Sequence, residues 1–280
     1  MKNRLLSELV VGGVLVASSS TIFAEGSPWL PAPGSTTIAI ESAFQTADDF
    51  YIGSDKESLG GDVEQLNYGL SVEYGVLDNL SVDARLSYAT SEQEGTSTKR
   101  RDFADSSIGL TWRLVDEFIF SEYAPSVGVR VAAIIAGDYE VGTIDAIGEG
   151  ASGVDASLLV GKYVTDKLAF SGELGYRVRD SDVPDDVFYN LSASYLINST
   201  VNVFLGLQGV SSNGDFDIGD DDSGRAVEFS EVQENSIQVD FGFAASITHA
   251  VSIAANCSSV IDGRNTFAGK ACVLSAGYTF

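Results

Sequence analysis

The chain contains few of the residues on which most enzyme active sites depend. Its 280 residues include one histidine, two cysteines and one methionine. A single histidine leaves little material for acid–base or nucleophilic catalysis, and so few histidines and cysteines do not build a zinc site. The sequence therefore predicts a protein that is not an enzyme and that has no metal site and no cofactor.

Basic residues are also scarce. Sixteen Lys and Arg stand against forty Asp and Glu, which gives a formal net charge of −24. This balance argues against a nucleic-acid partner, because binding to a polyanion starts from a basic face. Hydrophobic residues nevertheless make up 44% of the chain and charged residues only 20%, so a disordered acidic chain is excluded.

Long apolar runs are absent after the first two dozen residues. Residues 1–24 have the pattern of a secretory signal peptide: Lys2 and Arg4 come first, an apolar stretch follows at 9–17, and Ala24 precedes the expected cleavage site. The apolar stretch is too short for a membrane-spanning helix, which needs about 20 residues. We therefore expect export, with residues 1–24 removed and residues 25–280 as one domain that crosses any further membrane by strands.

The dominant pattern of the mature chain is an alternation of apolar and polar residues. In residues 65–74, the apolar set Leu66, Tyr68, Leu70, Val72 and Tyr74 alternates with Gln, Asn, Gly, Ser and Glu. Successive residues of a strand point to opposite faces, so this pattern predicts a strand with one apolar face. Twelve segments of about 9–11 residues carry it, at 36–45, 65–74, 80–88, 107–114, 126–135, 153–163, 168–179, 187–196, 201–210, 236–245, 250–260 and 271–280.

The connections between these segments alternate in length. Short turns are expected near 75–79, 164–167, 197–200 and 247–250, and long polar segments at 46–62, 89–101, 137–152, 180–186, 211–233 and 261–270. Residues 115–125 form a long connection where a short one is expected. Short turns at one end and long loops at the other are typical of a bacterial outer-membrane barrel with its short turns in the periplasm.

Two further features favour lipid as the partner of the apolar face. Aromatic residues recur near strand ends on that face, as in membrane barrels, and the chain ends with Phe280 on the same face. The fold prediction is thus an all-β, transmembrane, antiparallel up-and-down β-barrel of about 12 strands. A soluble secreted β-protein with its apolar face inward remains an alternative, because it would alternate in the same way.

Several stretches resemble the MetA-pathway phenol-degradation family of outer-membrane transporters. They are Trp29-Leu30-Pro31 with Gly34, the strand-turn-strand unit at 72–80, the strand at 128–134 followed by Gly137-Asp138-Tyr139, and Glu173-Leu174-Gly175-Tyr176-Arg177. The resemblance implies a barrel associated with the uptake of small molecules, which are often aromatic or apolar.

The polar face of the strands predicts the residues that line the lumen. Its charged members are Glu41, Glu73, Asp83, Arg85, Arg113, Arg130, Asp155, Glu173, Arg177 and Asp240. In one interpretation they form an electrostatic constriction that sets selectivity. In the other they form a ladder of salt bridges that fills a narrow barrel, because isolated charges in a low-dielectric lumen are costly.

The two cysteines and the single histidine each have a predicted role. Cys257 and Cys272 share the apolar parity of the last two strands, and a plain hairpin that pairs Phe280 with His249 places them opposite each other. In an oxidising compartment this predicts a disulfide, the alternative being two free thiols. His249, the single histidine, falls in a predicted turn and has no polar wall beside it, so we expect a turn residue and not a catalytic one.

The leading functional hypothesis is an outer-membrane channel for diffusion of small molecules. Its expected partners are outer-membrane lipids, the barrel-assembly machinery and a small-molecule solute, and the sequence leaves its oligomeric state open. The competing hypothesis is a closed structural or surface-binding barrel whose acidic extracellular loops contact a partner.

Overall fold

The computed structural model describes residues 26–96, 99–121, 123–218 and 229–280. The predicted signal peptide, 1–24, lies outside these residues. Among the residues described, no helix is both long enough and apolar enough to cross a membrane.

The described chain forms one antiparallel sheet that closes on itself. β1 pairs with both β2 and β13, and β2 also pairs with β3, so no open edge remains in the ring. β4 and β5 both pair with β3 and are two segments of one barrel strand, so the described residues form twelve strands around the barrel, as predicted. The segments are β1 Thr36–Ile52, β2 Asp55–Leu77, β3 Leu80–Gln93, β4 Lys99–Phe103, β5 Ser106–Val115, β6 Ser126–Ile135, β7 Gly153–Tyr163, β8 Leu168–Arg179, β9 Asp186–Leu196, β10 Val201–Ser212, β11 Asn235–Ser246, β12 Val251–Arg264 and β13 Lys270–Thr279, with a 3-10 turn at Phe229–Glu231.

The two ends of the barrel differ as the connection lengths predicted. At one end, here called the turn end, lie the start of β1, the end of β13, and short turns after β2, β7, β9 and β11. The long connection between β5 and β6, at 116–125, also lies at this end. The opposite end, here called the loop end, carries the connection between β6 and β7 at 136–152 and the one between β10 and β11 at 213–234.

The prediction of loops over 46–62 and 89–101 was wrong. β1 and β2 continue as a paired hairpin as far as Ile52 and Asp55. β3 continues to Gln93, and its last residues pair with β4. Above a membrane both faces of a hairpin meet water, so the apolar alternation fades although the backbone pairing persists. A polar segment at the loop end can therefore be a strand.

The exterior of the barrel is apolar. Ile40, Leu205 and Leu274 are 60–65% exposed on outward-facing positions, and Trp112 is 51% exposed near the turn end of β5. These side chains have no protein partner to cover them, and a closed barrel leaves no edge for further pairing. The arrangement is that of a transmembrane barrel whose apolar face meets lipid. The soluble alternative, which required an inward apolar face, is excluded.

The last hairpin confirms the predicted disulfide. β12 and β13 pair in the register expected from the sequence, with Cys257 directly opposite Cys272. Their Cα atoms are 4.0 Å apart and their sulfur atoms are bonded. Both cysteines lie on the outward face.

Candidate functional site: the barrel lumen

Three ion pairs line one side of the lumen. Arg85 Nη2 lies 2.8 Å from Glu41 Oε2, and Arg130 Nη2 lies 2.7 Å from Asp83 Oδ2. A third pair joins β8 to β7. In that pair, Arg177 binds both carboxylate oxygens of Asp155, at 2.8 and 3.0 Å. Most of these side chains are nearly buried, which matters because a charge removed from water requires a close partner.

Arg130 and Asp83 reach each other across an intervening strand. Arg130 lies on β6 and Asp83 on β3, while β5 runs between them with Gly109 at the crossing point. A Cβ atom at Gly109 would lie 2.4 Å from Arg130 Nη2 and 2.6 Å from Asp83 Oδ1. The absence of a side chain at this position is therefore what allows the ion pair to form.

Arg130 is also the centre of a group of carboxylates. Glu73 is the direct cross-strand neighbour of Asp83, and both Glu73 and Glu173 interact electrostatically with Arg130. Glu173 is buried and accepts a hydrogen bond from Ser157 Oγ at 2.6 Å. The guanidinium group of Arg130 thus interacts electrostatically with three acidic side chains, one each from β2, β3 and β8.

The opposite side of the lumen is formed mainly by uncharged residues. The inward positions of β10–β13 carry Ser, Gly, Ala, Asn, Gln, Val, Thr and Phe, and among those described Asp240 is the one ionisable side chain. Asp240 is buried and accepts a hydrogen bond from Gln208 Nε2 at 2.8 Å. No basic residue of the described chain forms an ion pair with it. The lumen therefore has a charged half and a nearly uncharged half.

Arg113, which the sequence places on the inner wall toward the periplasmic end, lies at the turn end of β5. Its Nη2 atom is 2.8 Å from Asp116 Oδ2 and also donates to the carbonyl oxygen of Asp78. Arg113 thereby links two turns, and its charge is matched locally. His249 is exposed in the turn between β11 and β12. Within the described residues no group of histidines, cysteines and carboxylates could hold a metal ion.

The connection between β6 and β7 crosses the loop end of the lumen. On one side, Gln65 of β2 donates through Nε2 to the carbonyl oxygen of Ile147 at 3.1 Å. On the other side, Glu149 lines a small cavity with Asp186 and Ser212. Within the connection, Tyr139 donates its hydroxyl hydrogen to Asp105, and burial raises the pKa of Tyr139. This segment, 136–152, narrows the lumen at the loop end.

The chain before β1 enters the lumen from the turn end. Gly75 of β2 leaves room for the backbone of Pro31 and Ala32, and Gly161 of β7 leaves room for Pro28 and Trp29. Gly26 then reaches Leu159 and donates its amide hydrogen to Glu173 Oε2 at 3.4 Å. This N-terminal segment, 26–34, therefore occupies the lumen from the turn end as far as the middle of β8.

Trp29 is the anchor of the N-terminal segment. Its indole Nε1 atom donates to Glu117 Oε1 at 2.9 Å, and its ring meets the ring of Tyr163 edge-on with centroids 5.1 Å apart. Phe118 contacts the same tyrosine ring at 5.7 Å. Glu117 and Phe118 belong to the connection at 116–125, so the unusually long connection at the turn end builds the site that holds Trp29.

The sequence prediction missed both obstructions of the lumen. Trp29 and the long connection at 115–125 are both visible in the sequence, but no local pattern shows that they meet. Contact between residues 88 positions apart depends on the closed barrel.

Comparison with known proteins finds one matching family model and several solved structures of similar fold. The model of the family described as "Putative MetA-pathway of phenol degradation" matches residues 67–276. No curated protein matches the sequence significantly. An outer membrane channel from Pseudomonas putida F1 is similar in structure, with a TM-score of 0.73 and 14% identity over 90% of this chain and 97% of that one. The NanC porin (TM-score 0.53, 9% identity, 86% and 98% covered) and the translocator domain of the autotransporter NalP from Neisseria meningitidis (0.53, 13%, 100% and 97%) are similar too.

Proposed function

The chain belongs to the phenol-degradation family whose model covers three quarters of it, and from this premise we propose that it is an outer-membrane channel for diffusion of small molecules. The observation that carries the proposal is the contrast between the two faces of the barrel. The exterior is apolar, and the interior is polar over the height of the strands. A polar interior supports the passage of water and small solutes through the membrane.

The uncharged half of the lumen is the proposed path. The charged half is held together by ion pairs, and the N-terminal segment lies against part of it through Glu173 and Gly161. The inward face of β10–β13 has small side chains and the single carboxylate of Asp240. A solute that follows this face meets few charges, which suits apolar or aromatic molecules. The carboxylate of Asp240 is buried behind this face, and its electrostatic field gives the path a preference for cations over anions.

Ion selectivity in planar bilayers tests this path. Purified, detergent-folded protein is expected to pass current, and Asp240→Asn should lower the ratio of cation to anion permeability measured from the reversal potential in a salt gradient. Asp262→Asn is the matched control, because it removes the same charge from an exposed position on β12. A ratio that changes equally in both variants, or in neither, would remove Asp240 from the path.

A closed barrel is the second candidate, and the occupied lumen favours it. The N-terminal segment lies in the turn end of the lumen, and the connection 136–152 crosses the loop end. If the folded, inserted protein passes no current even when the N-terminal segment is displaced, the barrel is closed and its acidic loops carry the function. The absence of enzymatic activity stays a prediction under both candidates.

A further inference from the structure

Trp29 occupies a site whose chemistry is that of a small-molecule binding pocket. Trp29 is 6% exposed, and its indole ring lies against Gly161 and Tyr163 of β7. The one polar atom of the ring, Nε1, donates a hydrogen bond to Glu117, whose side chain is 3% exposed. The site around Trp29 thus contacts both a planar aromatic ring and a single N–H donor.

The carboxylate of Glu117 is held in place without Trp29. Oε2 accepts the backbone N–H of Tyr163 at 3.0 Å and lies 3.1 Å from Lys162 Nζ. Oε1 accepts from Trp29 and more weakly from Ser126 Oγ, at 3.4 Å. When Trp29 leaves, Oε1 loses its closest partner while the rest of the site stays fixed, and a buried acceptor without a donor is costly.

We propose that the site formed by Glu117, Gly161 and Tyr163 binds free aromatic molecules that carry an N–H or O–H donor, such as indoles and phenols, and that Trp29 is its resident occupant. A solute of this class competes with Trp29 and displaces the N-terminal segment from the turn end of the lumen. The inference deepens the proposed function, on which it rests, by naming the class of solute that this end of the channel recognises.

The two tryptophans of the chain give a matched pair of variants. Trp29→Gly leaves a cavity of indole shape in the lumen, whereas Trp112→Gly removes a ring from the lipid-facing surface. Binding is measured by calorimetry in detergent with indole and with 1-methylindole, which has the same ring system but no N–H. We expect Trp29→Gly to bind indole about tenfold more tightly than 1-methylindole, because a hydrogen bond to a charged acceptor contributes about that factor.

Two more variants separate the donor effect from partitioning into the detergent. Trp112→Gly should bind indole more weakly than Trp29→Gly does, because indole must first displace Trp29 from the site. In Trp29→Gly with Glu117→Gln, the preference should fall to about threefold, because a neutral acceptor forms a weaker hydrogen bond. A second measurement keeps Trp29 in place. In Trp112→Phe, where Trp29 is the sole tryptophan, phenol should shift its emission to longer wavelength and toluene should not.

The outcomes distinguish this inference from the proposed function. Equal binding of indole and 1-methylindole to Trp29→Gly, or an emission of Trp29 that phenol leaves unchanged, overturns the binding site even if the protein conducts. A donor-dependent preference in a protein that passes no current supports the binding site and overturns the channel. Failure of Trp29→Gly to fold would leave the fluorescence measurement on Trp112→Phe to decide.

Discussion

Removal of Arg130 should be one of the most destabilising single changes in the lumen. Its side chain is 6% exposed, and it forms the 2.7 Å ion pair with Asp83, whose side chain is 20% exposed. Arg130→Ala removes the cation that Asp83 contacts and also a positive charge that offsets Glu73 and Glu173. Breaking a buried pair in this way costs about 3–5 kcal/mol, and we expect a loss of that size in the free energy of unfolding.

Denaturant titration of the folded barrel in lipid or detergent measures this loss. Lys99→Ala is the control, because Lys99 forms a 2.9 Å pair with Glu92 in which the side chains are 56% and 45% exposed. An exposed pair contributes at most about 1 kcal/mol. The double variant Arg130→Ala with Asp83→Ala should lose less than the sum of the single variants, because the charge that Arg130 leaves uncompensated is then also gone.

Two results would refute the reasoning about Arg130. If Arg130→Ala and Lys99→Ala lowered stability equally, burial would not be the source of the pair's importance. If the double variant lost the full sum, Arg130 and Asp83 would act independently despite their contact. Gly109→Ala supplies a further check, because a Cβ atom at the crossing point separates the pair without removing either charge.

Three further predictions concern other parts of the barrel. Gly161→Val should raise single-channel conductance by displacing Pro28 and Trp29, whereas Gly172→Val, where an added Cβ meets mainly the tip of one leucine, should not. Replacing both cysteines by serine should lower the free energy of unfolding by about 3 kcal/mol, since the disulfide closes a 15-residue separation. Burial raises the pKa of Glu234 to about 7 from 4.5. The folded protein favours the protonated form of Glu234, so the stabilising contribution of that form is complete below pH 4.5 and is lost as the pH rises through 7. Glu234→Gln should therefore flatten the pH dependence of the unfolding midpoint over that range.

The strands could be predicted because the alternation of apolar and polar residues within each strand shows which face meets lipid and which faces the lumen. Leu66, Tyr68 and Leu70 meet lipid while the residues between them face the lumen, so period 2 is visible without any knowledge of the neighbouring strands. The same reasoning placed Cys257 opposite Cys272 from the register of one hairpin. It failed for 46–62 and 89–101, where both faces meet water and no alternation marks the strands.

The lumen was predictable as a set of residues but not as an arrangement. Parity placed Glu41, Asp83, Arg85 and Arg130 on the inner face, but which acid pairs with which arginine depends on the curvature of the closed sheet. Arg85, for example, pairs with Glu41, which lies two strands away in the sheet. The position of the N-terminal segment could be predicted even less, because its partners Glu117 and Glu173 come near it only when the barrel closes.

The most direct test of the central claim is the flux of neutral solutes through the barrel. Liposomes containing the purified protein are diluted into isosmotic solutions of uncharged molecules of increasing size, and the swelling rate is compared with that of protein-free liposomes. The account predicts swelling with the smallest solutes, a sharp size limit, and faster swelling with Gly161→Val. Swelling at the protein-free rate in both proteins would contradict it and identify a closed barrel.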